Sequence, residues 1–154
     1  MGIMFRGINS ATLDGKGRMA LPARFRESLL AIAEGRVVVT IDMRERCLLL
    51  YPLPEWEIVQ AKLEALSNIA DNARRLQRLL IGHATDVELD GQGRILLPAM
   101  LRDFAALQKK LVLVGQGNKL EIWASDHWRE RMQSWLSEES NLIPEGDQFT
   151  GLSV

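Results

Sequence analysis

Two arginines, Arg18 and Arg94, stand in the same chemical setting 76 residues apart. Each ends an Asp-Gly-x-Gly-Arg stretch, so that Asp14 or Asp90 lies four residues before the arginine. A guanidinium held by a carboxylate at the strand edge of a turn can donate hydrogen bonds to guanine O6 and N7 or to phosphate oxygens. The residues alone leave a second interpretation open, in which each Asp–Arg pair is an ion pair that only closes its turn.

Other polar residues near the two turns could add contacts. Lys16 occupies the tip of the first turn and Gln92 the same position in the second, so the two turns cannot bind a ligand identically. Arg24, Arg26 and Arg102 follow on short helical stretches, where phosphate contact competes with a simply solvated helix face. The candidates for nucleic-acid contact are Lys16, Arg18, Arg24, Arg26, Gln92, Arg94 and Arg102, and Asp14 and Asp90 are placed to orient the turn arginines.

The residue pattern gives little support for catalysis or for metal binding. His83 and His127 have no second His or Cys at ligand spacing, so we predict no metal site. The Gly-x-Gly pairs lack the Lys-Ser/Thr and the long helix of a phosphate-binding loop. Cys47, the single cysteine, lies in an apolar run and is expected to be a packed core thiol. We predict no enzyme and no cofactor.

The turns belong to a longer internal repeat. Nine of fourteen positions are identical between residues 13–26 and residues 89–102. Asp and Gly favour a tight turn, because Asp can hydrogen-bond the following backbone and Gly adopts positive φ without a Cβ penalty. Pro22 and Pro98 suit the first position of a helix, where a missing N–H costs nothing. Each copy thus predicts a strand, a turn, a second strand and a short helix.

Both copies continue in the same way. Residues 37–41 and 47–51 predict a β-hairpin around a charged turn, and residues 111–114 and 119–123 predict its counterpart around Gly115-Gln116-Gly117-Asn118. Helical spacing of apolar residues predicts four longer helices. They cover residues 22–33, 55–67, 71–81 and 125–139. Gly35 is expected as the C-cap of the first and Asp71 as the N-cap of the third.

Composition and charge narrow the class of protein. An apolar content of 47% without a run of eighteen apolar residues predicts a soluble, cytoplasmic chain with no membrane span. The net charge of −1 is the sum over a basic N-terminal segment, an acidic C-terminal tail and the residues between them. Residues 1–30 have a local balance of +3, whereas residues 137–154 carry four acids and no base. The polar residues beyond Ser140 are expected to lack fixed structure.

The pattern Asp-x-x-Gly-Arg-x-x-x-Pro resembles the AbrB/SpoVT type of DNA-binding hairpin. Two tandem copies of it are similar to the MraZ family of bacterial transcription regulators. The resemblance extends from about Met4 to about Trp128 and includes the linking run of residues 49–57. The duplicated turn and this linker match together, which makes the resemblance specific.

The resemblance implies an α+β fold of two AbrB-like swapped-hairpin β-modules that form an intramolecular pseudo-dimer, with linking and C-terminal helices. A module of this size is near the lower limit for folding alone, so interlocking two copies in one chain would complete both cores. We expect module one at residues 5–55, a helical linker at 56–83, module two at 84–127, and a C-terminal helix with an acidic tail at 128–154.

The resemblance also implies a function. The expected protein is a sequence-specific DNA-binding regulator that acts, generally as a repressor, on repeated boxes upstream of its own division and cell-wall gene cluster. Its expected partners are double-stranded DNA and further copies of itself in a ring, within the nucleoid. The alternative is an antitoxin-type protein that binds operator DNA and a partner through the acidic tail. A third class, an enzyme for a phosphorylated small molecule, rests only on the glycine turns.

Overall fold

The computed structural model describes residues 5–67 and 71–138. The chain divides into two compact units after Ala124, and the last helix belongs to the second unit. The elements, in chain order, are β1 (Ile8–Thr12), β2 (Arg18–Ala20), α1 (Ala23–Ala33), β3 (Arg36–Ile41), β4 (Leu48–Pro52), α2 (Leu53–Glu64), α3 (Asp71–His83), β5 (Thr85–Glu88), β6 (Arg94–Leu96), α4 (Ala99–Phe104), β7 (Lys110–Gly115), β8 (Leu120–Ala124) and α5 (Ser125–Ser137).

Six strands form one antiparallel sheet in the order β1-β7-β8-β4-β3-β5. The first strand of each repeat pairs with the other repeat: Thr12 lies opposite Lys110, and Glu88 lies opposite Arg36. β1 and β2 are joined by the first turn, but they diverge after a single bridge between Leu13 and Met19. The predicted α+β fold with an intramolecular pseudo-dimer is confirmed.

A separate two-stranded ribbon, β2–β6, joins the repeats at their centre. Met19 lies opposite Ile95, which is the equivalent residue of the other repeat. The same relation holds in the large sheet, where Leu49 lies opposite Glu121 at the β4–β8 junction. An approximate two-fold axis therefore runs through both strand pairs and relates the two Asp-x-x-x-Arg turns.

The main core lies between the ribbon and one face of the large sheet. Met19 and Ile95 from the ribbon pack with Phe25 and Leu29 of α1 and with Leu101 of α4. The sheet contributes alternate residues, because successive side chains of a strand point to opposite faces. Those residues are Val37, Val39, Ile41, Leu48, Leu50, Leu111, Leu113, Leu120 and Ile122.

The opposite face of the sheet is covered by the linker helices. Val38 and Tyr51 pack there against Trp56 and Leu63 of α2, and α3 adds its partly buried apolar residues. The buried Thr40 hydroxyl donates to the carbonyl of Leu80 at 2.7 Å, which ties α3 to β3. The two helices α2 and α3 therefore lie on the far side of the sheet from the ribbon.

Several helix boundaries differ from the sequence-based ones. α1 begins at Ala23 with Pro22 as its N-cap residue and ends at Ala33. Its C-cap residue is Glu34, which has a positive φ of 54°, and not the expected Gly35. α2 begins two residues earlier than expected, because Pro52 ends the extended strand β4 directly before it. Asp71 is the first residue of α3. The expected tail beyond Ser140 lies outside the described residues.

The last helix, α5, forms the second unit. Within it the rings of Trp128 and Trp135 meet edge to face, with centroids 5.8 Å apart. Arg131 lies over the Trp135 ring at 5.1 Å. In the described part of the chain, no helix combines the length and the apolar composition needed to cross a membrane.

Candidate nucleic-acid interface

The first turn is built around the carboxylate of Asp14. Its Oδ1 accepts hydrogen bonds from the backbone N–H groups of Lys16 and Arg18, and its Oδ2 accepts one from Arg18 Nε, all at 2.9 Å. The backbone closes the same loop, since the N–H of Asp14 donates to the Arg18 carbonyl at 2.9 Å and that of Gly17 to the Asp14 carbonyl at 3.1 Å. Arg18 therefore has a fixed position at the turn.

The second turn repeats this geometry. Asp90 Oδ1 accepts from the backbone of Gln92 and Arg94, and its Oδ2 accepts from Arg94 Nε, again at 2.9 Å each. The predicted ion pairs are thus present in both turns. They use only Nε of each guanidinium, which leaves the terminal nitrogens, with most of its N–H donors, for a ligand.

Hydrogen bonding shifts the acidity of both aspartates. The hydrogen bond from the backbone N–H of Arg18 has the largest effect on the pKa of Asp14 and, with the Arg18 side chain and the Lys16 N–H, lowers it to about 2 against the opposing effect of burial. The backbone N–H of Arg94 likewise lowers the pKa of Asp90. Both carboxylates are charged at neutral pH and stay paired with their arginines, whose side chains are 31% and 28% exposed.

The two turns are also tied to each other through the ribbon. The N–H of Leu21 donates to the carbonyl of Gly93 at 3.0 Å, and the N–H of Leu97 donates to the carbonyl of Gly17 at 2.9 Å. These reciprocal bonds link the end of each ribbon strand to the opposite turn. The turns are consequently parts of one rigid unit that presents two arginines.

Arg26 reaches from α1 to the second turn. Its Nη1 donates to the carbonyl of Gln92 at 3.3 Å, and its side chain fills the space beside Gly93. Arg26 Nε is buried without a hydrogen-bond partner among the described residues. This predicted DNA contact residue therefore packs against the turn that carries Arg94, from the other repeat.

Arg102 makes the reciprocal crossing from α4 to the first turn. Its Nε donates to the carbonyl of Leu97 at 2.9 Å, and a Cβ on Gly17 would come within 2.9 Å of its guanidinium carbon. Gly17 has a positive φ of 84°, a conformation that favours glycine. Like Arg26, Arg102 supports the turn of the other repeat.

Arg24 and the two tip residues have different surroundings. Arg24 Nη2 donates to the carbonyl of Arg6 at 2.7 Å, and its guanidinium lies 4.6 Å from the centre of the Phe25 ring. It thus holds the segment that precedes β1. Lys16 and Gln92 are exposed at the turn tips, where the sequence places them.

Two lysines that the sequence analysis missed lie beside the first turn. The carbonyl of Lys109 accepts the N–H of Leu13 at 2.8 Å, and Lys110 lies opposite Thr12 in the sheet. Both lysines are exposed. Their signal in the sequence was the position at the start of the first strand after α4, but their proximity to the first turn depends on the exchange of strands between repeats.

The corresponding place beside the second turn is less basic. The carbonyl of Gly35 accepts the N–H of Leu89 at 2.9 Å, so a glycine stands where the first turn has Lys109. Arg36 lies there opposite the acid Glu88. The surroundings of the first turn are therefore more positive than those of the second.

Three possible metal ligands lie together away from the turns. Ligand atoms of Asp42, Cys47 and Glu121 are within 4.8 Å of one another. The buried Cys47 thiol donates to Asp42 at 3.7 Å, and Trp123 Nε1 donates to Glu121 at 3.0 Å. Burial raises the pKa of Cys47 and that of Glu121. These hydrogen bonds account for the cluster, and Cys47 is buried as predicted.

Comparison with known proteins finds matches that cover both repeats. The family described as "MraZ protein, putative antitoxin-like" matches twice, over residues 4–79 and 80–149. A transcriptional regulator MraZ of Thioalkalivibrio sulfidiphilus is 56% identical over 98% of this chain and 100% of its own length. Proteins of the same name from Marinomonas and Coxiella burnetii are 57% and 52% identical, over 89% and 95% of this chain and 91% and 94% of their own lengths.

Proposed function

This chain belongs to the MraZ family, and since its relatives are named transcriptional regulators, we propose that it regulates transcription by binding double-stranded DNA through the ribbon β2–β6 and its two turns. One observation carries the proposal: Arg18 and Arg94 stand in two identically built turns that are related by the two-fold axis of one rigid ribbon. A two-stranded ribbon fits the major groove of B-DNA, where guanine presents O6 and N7 as acceptors.

Some of the proposed contacts recognise bases, and others position the protein on the DNA. Arg18 and Arg94 donate to bases from their terminal nitrogens, while Asp14 and Asp90 hold the guanidinium groups in place. Lys16 and Gln92, at the turn tips, approach the DNA backbone or a neighbouring base. Specific recognition then depends on the guanidinium geometry, which a lysine cannot reproduce.

The remaining predicted arginines have mainly a supporting role in this proposal. Arg26 and Arg102 brace the opposite turns, and Arg24 holds the segment around Arg6. Nitrogens that these contacts leave free can still donate to phosphates at the edge of the interface. Lys109 and Lys110 join them as phosphate contacts beside the first turn.

Operator architecture and assembly extend the proposal. We expect repression at repeated boxes upstream of the chain's own gene cluster, by a ring-like homo-oligomer within the nucleoid. Exposed apolar residues on the helices support further association, among them Leu30, Ile32 and Ile58. Light scattering at micromolar concentration tests it, and a monomer would contradict the ring.

The DNA proposal is tested by gel shifts with the promoter region of the chain's own gene. Arg18→Ala and Arg94→Ala should each lose specific binding while the circular dichroism spectrum is kept, because one bidentate base contact contributes about 1–3 kcal/mol and both turns act together. The matched control is Arg78→Ala, since Arg78 is exposed on α3 at the far face of the sheet. Wild-type affinity in both turn variants would refute the proposal.

A second candidate function follows from the antitoxin-like description of the family. In it the ribbon binds operator DNA, while the acidic residues beyond α5 bind a basic partner protein. Deleting residues 139–154 separates the two candidates. Loss of a co-purifying partner with intact DNA binding would favour the antitoxin type, whereas an unchanged set of partners would favour the regulator alone.

A further inference from the structure

The ribbon β2–β6 has one face towards the core and one face away from it. Met19 and Ile95 at its centre are 0% and 1% exposed and belong to the main core. Because side chains alternate along a strand, the neighbours of these two residues point to the opposite face. The outward face therefore carries Arg18, Ala20, Arg94 and Leu96.

Each arginine has a different neighbour across the ribbon. Arg18 lies opposite Leu96, whereas Arg94 lies opposite Ala20. Directly opposed residues of an antiparallel pair have Cβ atoms about 4.5–5.5 Å apart on the same face. Positions 20 and 96 are equivalent in the repeat, but their side chains differ. Arg18 has the long apolar side chain of Leu96 opposite it, whereas Arg94 has only the methyl group of Ala20.

Leu96 is 55% exposed on this outward face. Exposure of this apolar side chain to water is unfavourable. A DNA groove around the ribbon would bury it. The major groove offers one apolar group on base edges, the C5-methyl of thymine. Ala20 is exposed as well, but its side chain has three carbons fewer than that of leucine and does not extend as far from the strand.

We propose that Leu96 is a specificity-determining residue that contacts the C5-methyl group of a thymine adjacent to the base read by Arg18. The half of each box that faces Arg94 and Ala20 has no such requirement. The inference rests on the proposed DNA binding and adds to it that one half-site contains an obligatory thymine methyl group.

Replacing thymines of a footprinted box one at a time by deoxyuridine tests this, because it removes only the methyl group. At one position per box, the wild-type chain should lose about fourfold in affinity, as expected when one methyl group is no longer buried. Leu96→Ala should bind the unmodified box about fourfold more weakly, and it should be insensitive to deoxyuridine at that position. Ile58→Ala, an exposed apolar residue of α2, is the matched control.

The reverse variant, Ala20→Leu, gives an independent result should Leu96→Ala fold poorly. It places the same side chain opposite Arg94 and should create a deoxyuridine-sensitive position in the other half of the box. Equal deoxyuridine profiles for wild type and both variants would overturn the inference while specific binding stands. An effect of Leu96→Ala on subunit number alone would assign the residue to a contact between copies and would also overturn it. Absence of specific binding in the wild type would instead refute the proposed function.

Discussion

Arg26 lies beside Gly93 of the other repeat, where its side chain occupies the space that any Cβ on that glycine would need. Gly93 has a φ of 74°, in the left-handed region, so two separate constraints act at one position. The turn requires the conformation, and the crossing arginine requires the missing side chain.

Gly93→Ala should therefore lower the free energy of unfolding by at least about 1–3 kcal/mol, the usual cost of a strained backbone conformation. Gly91→Ala, in the same turn, should change it by less than about 0.5 kcal/mol, because among the described residues no atom outside Gly91 and its two chain neighbours lies within 4 Å of its Cβ position. Urea unfolding followed by circular dichroism measures both. Similar midpoints for the two variants would show that an alanine at position 93 costs little either in backbone conformation or in displacement of Arg26.

The local parts of this fold could be predicted from the sequence, and the crossings between repeats could not. The Asp-Gly-x-Gly-Arg turns and the strands after them follow from side-chain hydrogen bonding and glycine conformations that act within five residues. The alternation of residues 8–12 fits pairing with β2 as well as with β7, so the exchange of strands came only from the family resemblance. The placement of Arg26 over Gly93 and of Lys109 beside Leu13 depends on that exchange.

The two turns should contribute unequally to DNA affinity. Lys16→Ala with Arg18→Ala should cost more affinity, and more of the salt dependence, than Gln92→Ala with Arg94→Ala, because the first pair removes two positive charges and the second removes one. Titrations of both double variants against one operator fragment over a salt series measure the difference. An equal loss, or a larger one at the second turn, would show that charge does not rank the turns.

Lys109 and Lys110 should act on affinity through phosphates alone. Lys109→Gln with Lys110→Gln should reduce the slope of log K against log salt by about 1–2, since each neutralised phosphate contributes about 0.9. Preference for the operator over unrelated DNA should stay the same, because these residues read no base. Lys62→Gln on α2 is the control for charge removal away from the ribbon. A changed sequence preference would place the lysines among the base contacts.

The charge of Asp14 should persist to low pH and support the turn there. Its pKa in the folded chain is about 2, below the ordinary 3.8, so its contribution to stability is fully present above pH 3.8 and disappears as the pH falls towards 2. The titration midpoint of the Asp14 carboxyl carbon in NMR spectra should lie near 2. The Lys16 and Arg18 amide signals should shift with the same midpoint. A midpoint near 4 would mean that these hydrogen bonds are weak in solution.

The Cys47 thiol should be unreactive in the folded protein. The side chain is 0% exposed, and burial raises its pKa, so little thiolate is present at neutral pH. A thiol reagent followed by absorbance should react with it only on the timescale of unfolding, and quickly once urea is added. Rapid labelling of the native chain would indicate opening of the β3–β4 hairpin.

The exchange of strands has a consequence for synthesis on the ribosome. β1 ends at Thr12, but its partner β7 begins only at Lys110. At roughly 5–20 residues per second the first strand waits about 5–20 s for its partner to be translated, with the backbone groups that pair with β7 still without that partner. The first repeat cannot finish folding while it is the only one made. A chain that ends before Lys110 thus lacks the strand that pairs with β1, and the two arginine turns become parts of one ribbon only after the second repeat has been made.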